Sequence, residues 1–219
     1  MGLMKDKDRE AVGEAFAGLK QAVHIVLATS AETAEYSAVA NQLLAEVAKI
    51  NPQIRIETVD LQSARAAELG LDKAPGLAFL RGSEQADHGI RFAGLPTGYE
   101  FVTLIEAIRL VGDGSEARLQ PATVNFLQAL DHPMRLQVFV TPTCPYCPRA
   151  VVLAYQLALA SPFVHAEGVE VSEFPELGDR YAVMGVPKTV IDEIVHVEGA
   201  APESMLLEKL REALVAEAA

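Results

Sequence analysis

One internal regularity limits the folds open to this chain more than any other feature. Thr29 and Thr141 each close a short apolar run and stand 112 residues apart; Pro75 and Pro187 each open one and stand the same distance apart. A repeat of this length is a duplicated domain, because solenoid repeats run from about 20 to 50 residues. The 219 residues suffice for two units of ordinary domain size. The predicted units are residues 1–114 and 115–219, joined near 112–121, where Gly112-Asp113-Gly114-Ser115 supplies helix-ending residues.

Hydrophobic periodicity gives both units the same order. In the first, 24–29 reads as a buried strand, 32–49 as a helix, 54–59 as an alternating strand and 63–69 as a short helix; strands at 74–80 and 91–96 and a helix over 99–111 follow. The second repeats this with a strand at 136–141, a helix over 145–159, a strand at 164–171 and helix-like 176–181. Strands at 188–191 and His196-Val197 and a helix over 202–216 complete it. Opening helices are expected at 10–20 and 119–130. The fold class is therefore α/β, with a central mixed sheet flanked by helices in each half. Gly94 and Gly199 are only 105 apart, so the first half holds about seven extra residues around 83–88, expected in a hairpin loop.

The chain has two cysteines, Cys144 and Cys147, placed where the second half passes from strand to helix. Two intervening residues at a helix start put the sulfurs on neighbouring faces, within bonding reach. A sulfur at the helix N-terminus meets unpaired N–H groups and the positive dipole end, which favour the reactive thiolate. Cys144 is thus the expected nucleophile, and Cys147, one turn further in, the resolving thiol. Pro145 is expected at the first helical position and Pro148 within the first turn. The residues alone also admit a zinc site completed by His132, His165 or His196, or an incidental pair. Val186-Pro187, opening a strand some forty residues on, reads as a cis-proline position that would present the Val186 backbone to a peptide.

Thr141-Pro142-Thr143-Cys144-Pro145-Tyr146-Cys147-Pro148, followed by Gly185-Val186-Pro187, resembles the thioredoxin superfamily. Two fused thioredoxin-like folds are similar to the glutaredoxin-like protein disulfide oxidoreductases of thermophilic prokaryotes, in which each half usually has its own Cys-x-x-Cys. Here the positions 112 residues before the cysteines are Glu32 and Glu35. A silent first fold before an active second one resembles the N-terminal domain of the alkyl hydroperoxide reductase flavoprotein subunit. The resemblance implies a thiol–disulfide oxidoreductase (protein disulfide reductase, oxidase or isomerase) acting through Cys144 and Cys147. Pro145, Tyr146, Val186 and Pro187 would contact substrate. It also implies an alternative, an adaptor carrying electrons from a thioredoxin-reductase-like flavoprotein to a peroxiredoxin. A non-catalytic client-binding module is the third class. The buried Asp of thioredoxins, six residues before the first Cys, is Val138 here, so the Cys147 proton must pass elsewhere. Lys188, after the proline, faces either the site or away from it. The glutathione-binding pattern of glutaredoxins is only partly echoed by Gly199-Ala200-Ala201.

Composition narrows the partners. A formal charge of −12 disfavours nucleic acid and anionic membranes, which bind clustered Lys and Arg. No apolar run reaches membrane-spanning length, and charges fill the N-terminal stretch where a secretory signal needs an apolar core. A single close cysteine pair suits a reducing compartment, so the expected setting is the cytoplasm and the expected partners are protein disulfides. No Gly-x-Gly-x-x-Gly occurs, so flavin and nicotinamide domains would belong to separate proteins. No cofactor is expected beyond the redox-active disulfide, and no metal.

Overall fold

The computed structural model describes residues 3–114 and 117–217. The first half comprises α1 (Asp6–Phe16), β1 (Val23–Thr29), α2 (Ala34–Ala48), β2 (Ile54–Asp60), α3 (Ala64–Glu68), β3 (Gly76–Arg81), β4 (Ala86–Ala93) and α4 (Glu100–Gly112). The second comprises α5 (Pro121–Gln128), β5 (Met134–Val140), α6 (Cys147–Ala160), β6 (Val164–Glu170), α7 (Pro175–Arg180), β7 (Lys188–Ile191), β8 (Val195–Glu198) and α8 (Glu203–Glu217). Each predicted element is present, in the predicted order. The expected boundary between Gly114 and Ser115 falls at residues 115–116, outside the described ones.

All eight described strands join one sheet, in the order β2-β1-β3-β4-β6-β5-β7-β8. Within each half two strands pair in parallel and the next two antiparallel. The continuous apolar run of β1 has neighbours on both sides and is buried, whereas β2, with polar residues alternating, forms an edge. The halves meet where β4 pairs in parallel with β6, from Ile90 opposite Ala166 to Ala93 opposite Val169.

The extra residues of the first half differ from expectation. The turn takes only 82–85, while 86–88 lengthen β4 to eight residues against four in β8. The opening helices also shift. α1 starts at Asp6, where the Asp8 carboxylate accepts the Lys5 N–H, and α5 starts at Pro121, whose fixed φ and missing N–H suit a first helical position.

The joint is fastened from both faces of the sheet. Tyr155 of α6, fully buried, donates its hydroxyl to the Arg91 carbonyl of β4 at 2.7 Å. On the other face Lys73, just ahead of β3, reaches both carboxylate oxygens of Glu167 on β6, at 2.9 and 3.1 Å. Buried apolar residues of both halves, from Phe16 to Leu210, form one cluster, so the tandem folds share a core.

Candidate active site

β5 ends at Val140, the loop 141–146 turns outward, and α6 begins at Cys147. Cys144 and Cys147 are joined as a disulfide, their Cα atoms 5.5 Å apart, inside the ordinary range for the bond. Cys147 is fully buried, whereas Cys144 keeps 8% of its surface exposed. The Cys144 Sγ lies 3.7 Å from the carbonyl oxygen of Val186, and the Val186–Pro187 peptide is cis. The matched Ala74–Pro75 peptide is cis as well.

Two expectations need correction. The helix starts two residues after Pro145, with Tyr146 as its N-cap and Pro148 at its second position. Cys144 lies in the preceding turn, its N–H donated to the Thr141 carbonyl at 3.2 Å and so committed before the helix begins. Lys188 points away from the sulfurs: its Nζ donates to Ala182 O at 3.0 Å and pairs with Glu198 at 2.9 Å. Tyr146 is 70% exposed beside the pair, and Met184, ahead of the cis-proline, is 94% exposed.

Val138 is buried in the core, as its sequence implied. Carboxylates gather instead where the turn of residues 94–99 meets the second half. Glu100, at the start of α4, is fully buried; burial pushes its pKa up to about 7, with the Glu170 charge adding to the rise. The Thr103 hydroxyl donates to its Oε2 at 2.6 Å, while its Oε1 has no hydrogen-bond partner. Glu173 accepts the Leu95 N–H at 2.7 Å, and burial, with Glu170 again contributing, raises its pKa to about 7. Glu170 itself accepts the N–H groups of Ser172 and Glu173. One residue before Glu100, the Tyr99 N–H donates to the Pro142 carbonyl at 2.9 Å, which ties this region to the cysteine loop. Sequence reasoning missed these residues, because no local pattern relates Glu100 to cysteines in the other half.

Glu32 and Glu35 are exposed at the start of α2, at the positions matching the cysteines. Among the described residues, no group of three or more His, Cys, Asp or Glu is placed to hold a metal ion. No described helix is long and apolar enough to cross a membrane.

Residues 134–212, spanning the disulfide and the cis-proline, match the thioredoxin domain family. The second half is a thioredoxin domain. Its strand-loop-helix carrier of Cys144 and Cys147 and the cis-Pro187 beside them lie inside the matched stretch. Among curated proteins the chain is similar to the alkyl hydroperoxide reductase AhpF of Pseudomonas putida, 26% identical over 73% of this chain and 28% of that protein. The Staphylococcus epidermidis protein of the same name is 27% identical over 69% and 27%. The chain thus spans under a third of these relatives. Solved structures extend the likeness to both halves. The NTD_N/C domain of alkylhydroperoxide reductase AhpF from Enterococcus faecalis superposes with a TM-score of 0.85 and 28% identity, covering 94% of this chain and 98% of that one. A protein disulfide oxidoreductase from Aeropyrum pernix K1 gives 0.83 and 26%, over 93% and 90%. The thioredoxin domain therefore follows a first thioredoxin-like fold that lacks the cysteines, and the bonded pair supports thiol–disulfide oxidoreductase chemistry.

Proposed function

We propose that this protein exchanges thiols and disulfides with protein substrates, Cys144 acting as nucleophile and Cys147 as resolving thiol. The observation that carries the reading is the unequal burial of one bonded pair, with the more exposed sulfur beside the Val186 carbonyl. In the reduced protein the Cys144 thiolate attacks one sulfur of a substrate disulfide. That bond breaks, its other sulfur leaves as a thiolate and takes a proton, and a mixed disulfide forms. Cys147 then loses its proton and attacks the Cys144 Sγ; the mixed disulfide breaks and the Cys144–Cys147 bond forms. Two electrons pass to the substrate, and a dithiol donor reverses the steps to restore the thiols.

Pro145 and Tyr146 would meet the substrate beside the sulfurs. Val186, ahead of Pro187, would offer its backbone to an extended segment. Residues 115–219 would react and residues 1–114 would hold partners. The exchange needs no cofactor beyond the disulfide, and the expected setting is cytoplasmic. A glutaredoxin-like subtype rests on Pro145-Tyr146 alone.

Similarity across nearly all of an alkylhydroperoxide reductase AhpF domain favours a narrower second reading. There a thioredoxin-reductase-like flavoprotein supplies the electrons and an oxidised peroxiredoxin takes them. Disulfide reduction of insulin tests the main reading: Cys144→Ser abolishes it, and unchanged turnover would sink the assignment. Stopped-flow oxidation by a peroxiredoxin tests the second, which fails if a generic protein disulfide reacts equally fast. A potential of about −270 mV would mark a reductase, and one above about −180 mV an oxidant or isomerase.

A further inference from the structure

The first half has no thiol, yet it carries an apolar groove of about 550 Å³ between α1, α2 and α4. Its walls include Leu3, Val39 and Val102, all exposed to solvent, Val102 at 51%. One turn before Val39 and Val102 stand Tyr36 and Tyr99, also exposed. Exposed apolar side chains scattered singly are ordinary, but a contiguous set in a groove marks a binding surface.

The position of the groove indicates what fills it. Pro96, Thr97 and Gly98 line the groove, and a Cβ on Gly98 would stand 2.2 Å from the Pro142 carbonyl oxygen, so this lining abuts the loop that carries Cys144. Beyond that contact the disulfide is flanked by exposed Tyr146 and Met184. The apolar surface therefore begins at the sulfurs and continues across the Cys-less half. Among the described residues lining the groove only Asp8 is charged, which disfavours an acidic occupant.

We infer that the groove binds an aliphatic, non-acidic segment of the substrate protein, adjoining the disulfide that Cys144 attacks. The inference rests on the thiol exchange proposed above. The Cys-less half then sets which disulfides are attacked, since burying aliphatic side chains next to the reacting sulfurs adds affinity that a polar segment lacks.

Two synthetic peptide disulfides of equal length test it, one flanked by Leu and Val, the other by Ser and Gly. The full chain, reduced beforehand, is expected to exchange with the aliphatic peptide at least tenfold faster in kcat/KM. Val102→Glu, at a half-exposed position that tolerates the charge, brings the ratio toward one. Met205→Glu, an exposed apolar position outside the groove, keeps the ratio. Equal kcat/KM for the two peptides with exchange intact would overturn the groove proposal alone. Absence of exchange with either peptide would overturn the thiol-exchange reading, and the proposal with it. A dimer that Val102→Glu dissociates would also overturn it, because a second copy would then cover the groove.

Discussion

The Tyr99 N–H donates to the Pro142 carbonyl at 2.9 Å, so the start of a helix in the Cys-less half is tied to the loop carrying Cys144. Gly98 makes the approach possible. It adopts φ +60°, and any side chain there would collide with the Pro142 carbonyl. The reactive loop is thus shaped in part by residues of the other domain.

Gly98→Ala should reveal this coupling when compared with Gly70→Ala. Gly70 has φ +62° and nothing within 4 Å of its would-be Cβ, so its variant bears only the backbone cost of about 1–2 kcal/mol. Gly98→Ala bears that cost and displaces Pro142. Thermal unfolding should register a loss for both, whereas disulfide exchange should fall at least tenfold only for Gly98→Ala.

Removing the resolving thiol should stall the exchange halfway. Cys147→Ser leaves Cys144 able to attack but gives the mixed disulfide no internal route to break. Intact-mass measurement should find the substrate thiol attached to Cys144, and a chain with no adduct would contradict the assigned roles.

Stability should fall as pH rises from about 4.5 to about 7. Below pH 4.5 Glu100 is protonated in both folded and unfolded chains; from there to about 7 only the folded chain keeps the proton, and above about 7 the contribution is gone. For Glu100 this amounts to about 2–3 kcal/mol. Glu173 acts in the same direction but less, because solvent screens it. Urea unfolding should show the decline, and Glu100→Gln should flatten much of it.

Lys73→Met should destabilise the joint between the halves. The Lys73–Glu167 pair is nearly buried, and truncating one partner of such a pair commonly costs about 3–5 kcal/mol. Glu167 also accepts from Arg135 at 3.1 Å and Gln137 at 3.3 Å, so the loss should be smaller, about 1–3 kcal/mol by urea unfolding. No measurable loss would mean that these partners suffice.

Features read correctly in the sequence are local ones. Strand and helix order follow from apolar spacing, which is written within ten or so residues. The common 112-residue offset of Thr29 with Thr141 and of Pro75 with Pro187 marked two copies of one fold, and both prolines follow cis peptides. Finer placement failed where neighbours compete. The start of α6 moved to Cys147 because Cys144 is held in a turn with Thr141, and the direction of Lys188 was set by Ala182 and Glu198.

By itself, then, the sequence determined two thioredoxin-like units, one cysteine pair, and glutamates at the matching positions of the other half. Tertiary structure alone decided that β4 pairs with β6, that Glu100 lies buried near Glu170, and that Gly98 presses on Pro142. The physical reason is range. Periodicity and short spacings act through neighbouring residues, whereas burial, carboxylate pKa and domain contact depend on groups brought together only when the two cores merge.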